Sequence, residues 1–249
     1  MSIWNPLPET EDILPPQKFV DRVGGDYHVV GRRAFRYLSE YVNLQPEMSV
    51  LDIGCGCGRL AVPLSSFLAS EYRGLDVAPD MIDWCRKNIS PRNPHFQFDA
   101  ADIYNALYNP SGSLTAETFR LPYESESFDV IVLISVFTHL LPGTVSNYLR
   151  EASRTLRSNG RILATFFLVN NREEAHEPTP IGLRFQHECE GYWLADRSLP
   201  ETAVAYSESL VQTLSSDAGL QIRGTHYGRW RRPENGAINV QDAMVFSRL

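Results

Sequence analysis

The amino-acid sequence predicts an α/β domain, a mainly parallel sheet covered by helices on both faces. Three observations predict it. Between residues 49 and 169, short apolar runs alternate with segments whose apolar residues recur at helical spacing. One run, Asp129-Val130-Ile131-Val132-Leu133-Ile134-Ser135, is continuously apolar between its ends, as a strand buried on both faces should be. The first run passes into the helix behind it through a glycine-rich turn, Gly54-Cys55-Gly56-Cys57-Gly58, where a ligand can lie against the backbone without striking a Cβ.

The elements follow in order. Residues 1–17 hold Pro6, Pro8, Pro15 and Pro16 with several acids and no charged-then-apolar leader, so they read as an arm. The arm extends to about residue 30. There Gly24-Gly25-Asp26-Tyr27 either folds it across a ligand, with Tyr27 and Gly31 beside that ligand, or makes an ordinary turn before a helix. Ala34, Phe35, Leu38, Tyr41 and Val42 predict a helix over residues 31–42. A strand over 49–53, a helix over 59–69, a strand over 72–77, a helix over 80–88 and a strand over 95–101 come next. Asp80 and Asp83 favour the N-terminal end of the second of these helices. After the apolar strand over 129–135, Thr144 can cap a helix running to Arg157. Asn159-Gly160 is expected to stop that helix before a strand over 161–169. The chain ends with a helix over 206–218 and strands over 221–227 and 242–247, an antiparallel finish to a parallel sheet. Two stretches break the rhythm. Residues 104–127 read as a long structured insertion, and residues 170–200, with Phe185, Tyr192 and Trp193, as a lid.

Composition narrows the partners. A net charge of −7 and a pI near 5.4 argue against a protein held to nucleic acid or membrane by global electrostatics, though not against a local basic groove. No apolar run approaches the roughly 18 residues needed to span a bilayer. Cys55, Cys57, Cys85 and Cys189 have neither disulfide nor zinc spacing, and read as reduced thiols of a cytoplasmic protein. Arg229-Trp230-Arg231-Arg232 is the only dense basic cluster, either a fork for an anionic acceptor or, more simply, a solvated loop face.

The residues at the strand ends choose the ligand. A dinucleotide fingerprint needs Gly-x-Gly-x-x-Gly, but position 59 is Arg, and no Gly-Lys-Ser/Thr follows for a phosphate-cradling loop. Asp52, in the last turn of the first strand, suits an ammonium group and repels a pyrophosphate. Asp76 ends the second strand, where a carboxylate can accept from both hydroxyls of a ribose. Asp102-Ile103 ends the third, where an acid can accept from an adenine amino group beside an apolar wall, and Ser135 ends the fourth. This set suits a nucleoside with a cationic tail.

Four motifs together resemble the class I, Rossmann-like methyltransferases that use S-adenosylmethionine. They are Asp52-Ile53-Gly54-Cys55-Gly56-Cys57-Gly58, Gly74-Leu75-Asp76-Val77, Leu121-Pro122-Tyr123 before Ser127-Phe128-Asp129-Val130, and Leu156-Arg157-Ser158-Asn159-Gly160. The last departs slightly, with Arg161 where the family often has a second glycine. The resemblance covers residues 31–169. It implies a three-layer sandwich around a mostly parallel seven-stranded sheet with an antiparallel C-terminal strand. It also implies that Gly54, Cys55 and Gly56 meet the methionine part of the cofactor through backbone and that Asp52 orients its amino group. Asp76 would hold the ribose, Val77 and Met81 flank the adenine, Asp102 and Ile103 contact its edge, and Ser135 lies near the methionine portion. Asp99 is the alternative to Asp102.

A methyl sulfonium is already activated, so the protein's main task is alignment of a nucleophile, with a base where that nucleophile is a hydroxyl. His139, after the fourth strand, is the candidate base; a histidine that packs or caps at the start of the next helix is the competing reading. His28, His95, His176, His187 and His226 have no assigned role, and no metal is expected. The expected activity is methyl transfer to a small molecule, at oxygen. A tRNA or protein methyltransferase using the arginine cluster, and a cofactor-binding subunit without transfer activity, are the alternatives.

Overall fold

The structure, a computed structural model, describes residues 13–106, 108–231 and 236–249. The first twelve residues of the expected arm and Arg232 of the basic cluster therefore lie outside the described residues. The chain divides into two compact units, Met1–Gly112 and Ser113–Leu249.

The first unit carries helices α1 (Gln17–Val23) and α2 (Tyr27–Tyr41), strand β1 (Val50–Ile53), helix α3 (Ala61–Ser65), strand β2 (Tyr72–Asp76), helix α4 (Pro79–Asn88) and strand β3 (Phe96–Ala100). β1 pairs with β2 and β2 with β3, both parallel, so Ile53 ends beside Leu75 and Asp76 ends beside Ala100. Tyr72, fully buried, stacks on Phe96 at 4.7 Å between ring centres. α2 starts four residues before the predicted 31 because the Asp26 side chain caps it, accepting from the Val29 N–H at 2.8 Å. Gly31 thereby falls inside the helix, where a Cβ would stand 2.1 Å from the Arg59 carbonyl oxygen, so only glycine lets α2 approach this closely. α3 is shorter than the predicted 59–69. The hydroxyls of Ser65 and Ser66 donate back to the Val62 and Pro63 carbonyls at 2.8 and 3.1 Å and compete with the helix ladder.

The second unit carries β4 (Phe128–Leu133), α5 (Pro142–Thr155), β5 (Leu156–Leu168), α6 (Arg172–His176), β6 (His187–Glu188), β7 (Tyr192–Leu194), β8 (Val204–Tyr206), α7 (Glu208–Asp217), β9 (Leu220–His226) and β10 (Asp242–Arg248). β4 and β5 are parallel, and β10 is antiparallel to both β5 and β9. The C-terminal strand, β10, is antiparallel as expected, and β6, β7 and β8 are three strands beyond the seven expected, with antiparallel pairings of their own.

One expectation is corrected here. Asn159-Gly160 does not stop the helix, which ends at Thr155. Leu156 already pairs with Phe128 and Arg161 with Val130, so residues 157–160 bulge out of the start of β5. The segment at 170–200, expected as a lid, holds regular structure. It contributes α6, β6 and β7, and with β8 the two strands form an antiparallel ladder that joins the end of β5 through Phe167↔Ala205 and Leu168↔Tyr206. Two of its three aromatics, Phe185 and Trp193, are buried in a core with Phe167, Val169 and Trp230, and only Tyr192 is left half-buried. From residue 113 on, the expected insertion is pinned along α5. Asn147 donates to the Ala116 and Phe119 carbonyls, and Arg154 to those of Leu121 and Tyr123.

Candidate functional site

In the first unit the ends of β1 and β2 meet in one hydrogen-bonded corner. Gly56, at φ +53°, turns its N–H to Asp76 Oδ2 at 2.7 Å, and the Ala78 N–H donates to Asp76 Oδ1 at 2.8 Å. The Gly54 and Cys55 N–H groups both donate to the Leu75 carbonyl, at 2.7 and 3.2 Å, and the Gly58 N–H to the Cys55 carbonyl at 3.0 Å. These four donors of the turn are therefore spent within the protein, three of them on the second strand and the fourth inside the turn. What remains is an open Cα surface, with Gly54 exposed and Gly56 half-buried, flanked by carboxylates. Such a surface suits a cationic ligand better than a phosphate.

The acids differ in kind. Asp52 is 4% exposed and accepts from the Tyr72 hydroxyl at 2.7 Å. Burial pushes its carboxyl up to about 7, against the pull of the Tyr72 hydrogen bond and with a further push from the Asp76 charge. Asp76 is half-buried, and burial also raises it, opposed by the N–H groups of Ala78 and Gly56. Asp102 is exposed beside Ile103, which is 2% exposed. Asp99, the alternative acid, points elsewhere, with Arg73 Nη1 3.8 Å from its carboxylate. Val77 is half-buried and Met81 buried at the start of α4, so Met81 can serve only as a floor. Tyr27 does not lie open to a ligand either. Its buried hydroxyl donates to the Cys57 carbonyl at 2.9 Å and braces the turn from behind, as Gly31 does by letting α2 reach Arg59. Cys55, Cys57 and Cys85 are buried free thiols, and burial holds all three above the ordinary thiol range, about 11 for Cys57.

Ser135 and His139 belong to the second unit. β4 ends at Leu133, two residues before the predicted end, because Ser135 adopts φ +58°, a left-handed conformation that a side chain resists by about 1 kcal/mol or more. It is held there by its N–H to Thr165 Oγ1 at 2.8 Å and its hydroxyl to Gln241 Oε1 at 3.0 Å, while Thr165 donates to the same Gln241 oxygen at 2.6 Å. His139 closes a short 3₁₀ turn, Phe137–His139. Its Nδ1 lies 3.0 Å from the Glu201 carbonyl oxygen, which can only accept, so Nδ1 carries the proton and Nε2 is the basic nitrogen. Beside it the Tyr206 hydroxyl donates to the Leu140 carbonyl. The expectation of a solvated face at the arginine cluster is corrected. Trp230 is 1% exposed and donates to Asp242 at 2.7 Å, and Arg231, with 15% of its side chain exposed, pairs with Glu174 at 2.8 Å. The buried indole pulls the cluster inward.

Sequence reasoning missed Arg22, Arg59, Thr165, Glu201 and Gln241. Glu201 acts through its backbone, which leaves no signal in residue identity, and the others lie outside the strand-end pattern. Among the described residues no group of three or more His, Cys, Asp or Glu could hold a metal ion, and no helix is long and apolar enough to cross a membrane.

Comparison with known proteins adds three findings. A family profile described as "Methyltransferase domain" matches residues 51–164. The methyltransferase GfsG of Streptomyces halstedii is 28% identical over 141 residues, 56% of this chain and 45% of that protein; a ribosomal protein L11 methyltransferase of Paraburkholderia phytofirmans is 31% identical over 119 residues, 43% of this chain and 38% of that protein. A TehB-like SAM-dependent methyltransferase of Corynebacterium glutamicum has the same fold, with a TM-score of 0.54 at 16% identity over 96% of this chain and 98% of that one. The matched stretch spans half or less of the length of these curated relatives.

Proposed function

We propose that this chain, which belongs to the class I S-adenosylmethionine-dependent methyltransferases, transfers the cofactor's methyl group to an oxygen atom of a small molecule. When bound, S-adenosylmethionine supplies a methyl group activated on a sulfonium. The corner made by Gly56 and Asp76 carries the cofactor assignment, because a turn whose N–H groups face inward and whose rim is carboxylate fits a cationic amino acid joined to a ribose. In this reading the Cα surface of Gly54, Cys55 and Gly56 takes the methionine portion and Asp52 pairs with its ammonium. Asp76 accepts from the ribose hydroxyls, and Val77, Met81, Asp102 and Ile103 bound the adenine. Tyr27 and Gly31 act from behind the turn.

The basic Nε2 of His139 supports oxygen as the acceptor atom, since a hydroxyl gains most from a base that removes its proton as the new bond forms. The test is release of S-adenosylhomocysteine from the full chain supplied with S-adenosylmethionine and a panel of phenols, aliphatic alcohols, carboxylic acids and amines, alongside bulk tRNA and ribosomal protein. Turnover is expected with hydroxyl acceptors. His139→Asn keeps a donor for the Glu201 carbonyl but has no base, so its rate is expected to fall about 100- to 10,000-fold. An unchanged rate in His139→Asn would show that His139 only anchors the turn, and turnover with amines alone would remove the oxygen assignment.

The ribosomal protein L11 relative favours a second reading, a macromolecular acceptor. The inward-turned Trp230 and the ion pair of Arg231 count against the arginine cluster as its docking site. A subunit that binds cofactor without transfer would give no product with any acceptor.

Asp52 sets a pH dependence. Its carboxyl is raised to about 7 in the folded chain, so the stability it contributes is full below its unfolded value and is lost as pH rises through about 7. An arriving ammonium reverses this and favours the charged form. Cofactor binding at pH 7 is therefore expected to release a fraction of a proton, read by calorimetry in two buffers of different ionisation enthalpy. The release should vanish in Asp52→Asn; a release unaffected by that change would take Asp52 out of the ammonium site.

A further inference from the structure

We propose that Arg22 is a positioning residue for the cofactor: paired with Asp80, it latches α1 across the glycine turn, and this latch opens whenever cofactor binds or leaves. The proposal rests on the cofactor lying along that turn, and the experiment below separates the two.

The contacts form a clasp with a swivel. Arg22 Nη1 reaches both carboxylate oxygens of Asp80, at 3.2 and 2.9 Å, and the guanidinium lies 5.5 Å from the centre of the Tyr108 ring. Asp80 is the second residue of α4, four positions after Asp76, so the clasp closes beside the acid assigned to the ribose. Arg22 is near enough for its charge to bear on Asp76. The next residue, Val23, covers the turn: a Cβ built on Gly56 would stand 3.2 Å from Val23 Cγ1. The Gly24 carbonyl then accepts from Arg59 Nη1 at 2.8 Å. α1 thus lies on the glycine surface that a bound methionine portion would use.

Behind the clasp, Gly24 and Gly25 both adopt left-handed backbone, at φ +71° and +73°, and nothing stands within 4 Å of the side-chain position of Gly24. Only two glycines in succession allow this, and they separate a helix that can move from one that cannot. α2 is fixed to the turn by the Tyr27 hydrogen bond and by the close approach at Gly31, whereas α1 is held by one buried side chain, Phe19, by the Arg22–Asp80 pair and by the Arg59 bond at its end. With side chains 30% and 47% exposed, that pair is wet, screened by salt and weak enough to break at each binding event.

The experiment is stopped-flow binding of S-adenosylhomocysteine to the full chain. Arg22→Ala is expected to raise association and dissociation rates together, each roughly two- to fivefold, as removal of a weak surface pair allows. High salt should do the same to the wild type and nothing to Arg22→Ala. The double exchange Arg22→Asp with Asp80→Arg should return both rates toward wild type. Unchanged rates in Arg22→Ala, or an exchange that restores nothing, overturn the latch. A rise in dissociation alone also overturns it, because it marks Arg22 as a direct ligand contact. Failure of the wild type to bind the probe at all would instead remove the cofactor assignment, and the latch with it.

Discussion

Asp76→Ala is expected to weaken binding of S-adenosylhomocysteine by about two to four orders of magnitude. The carboxylate already serves the turn, with the Gly56 N–H on one oxygen and the Ala78 N–H on the other. Each oxygen keeps a further lone pair, which is what two vicinal hydroxyls need. A hydrogen bond to a charged acceptor contributes about 1.5–3 kcal/mol, and each 1.4 kcal/mol is about a factor of ten in affinity, so loss of two gives the range stated. Alanine also orphans the two N–H groups, and the variant must be separated from a merely collapsed turn. Asp76→Asn does this, because its amide keeps one acceptor oxygen and nearly the same shape. Its affinity should fall between wild type and Asp76→Ala, and because its NH2 group faces one of the two N–H donors, its cofactor-free melting temperature should also fall between theirs. Calorimetric titration of the three proteins decides the matter. Equal affinities would mean that the carboxylate holds the turn together and never meets the ribose.

Much of this site was legible in the sequence because its parts sit at strand ends, and strand ends are fixed by hydrophobic patterning. Val50-Leu51-Asp52-Ile53 and Tyr72 to Asp76 announce themselves as short buried strands, and the parallel register then brings Gly56 to Asp76 without further information. The orientation of the groups was not legible. The N–H groups of Gly54, Cys55 and Gly56 could have faced a ligand, and the pattern of glycines is the same whether they do or not. Tyr72 carries no motif, yet its hydroxyl lies on Asp52 and burial moves that carboxyl to about 7. The β6-β7-β8 ladder escaped for a different reason. Strands of two or three residues are too short for alternation to appear, and Phe185 and Trp193, which suggested a ligand-facing lid, serve as its core. His139 is a candidate from its place after β4, but its tautomer depends on the backbone of Glu201, sixty-two residues away.

Asp242→Ala is expected to destabilise the second unit by about 3–5 kcal/mol, a large part of the 5–15 kcal/mol that holds a typical domain together. Asp242 is 2% exposed at the start of β10 and accepts three hydrogen bonds of 2.7 Å, from the Leu168 and Gly228 N–H groups and from Trp230 Nε1. Alanine leaves all three donors buried without a partner. Asp242→Asn does not rescue them, since its single oxygen cannot face both Gly228 and the Leu168–Trp230 side. Burial outweighs the three donors and raises this carboxyl. Its contribution is therefore complete below the unfolded carboxylate value and declines as pH rises through the raised folded one, so the gap between wild type and Asp242→Ala should narrow in that direction. Urea unfolding midpoints across the acid range measure it. The consequence reaches the candidate site through adjacent residues. Gln241 holds Ser135 in its left-handed conformation, and Leu168 pairs with Tyr206, whose hydroxyl fixes the Leu140 carbonyl next to His139. A loosened Asp242 should release both ends of the segment from Ser135 to Leu140. Solvent exchange at the Ser135 and His139 amides should therefore rise together in Asp242→Asn; exchange confined to the Trp230 turn would mean that Asp242 is a local anchor only.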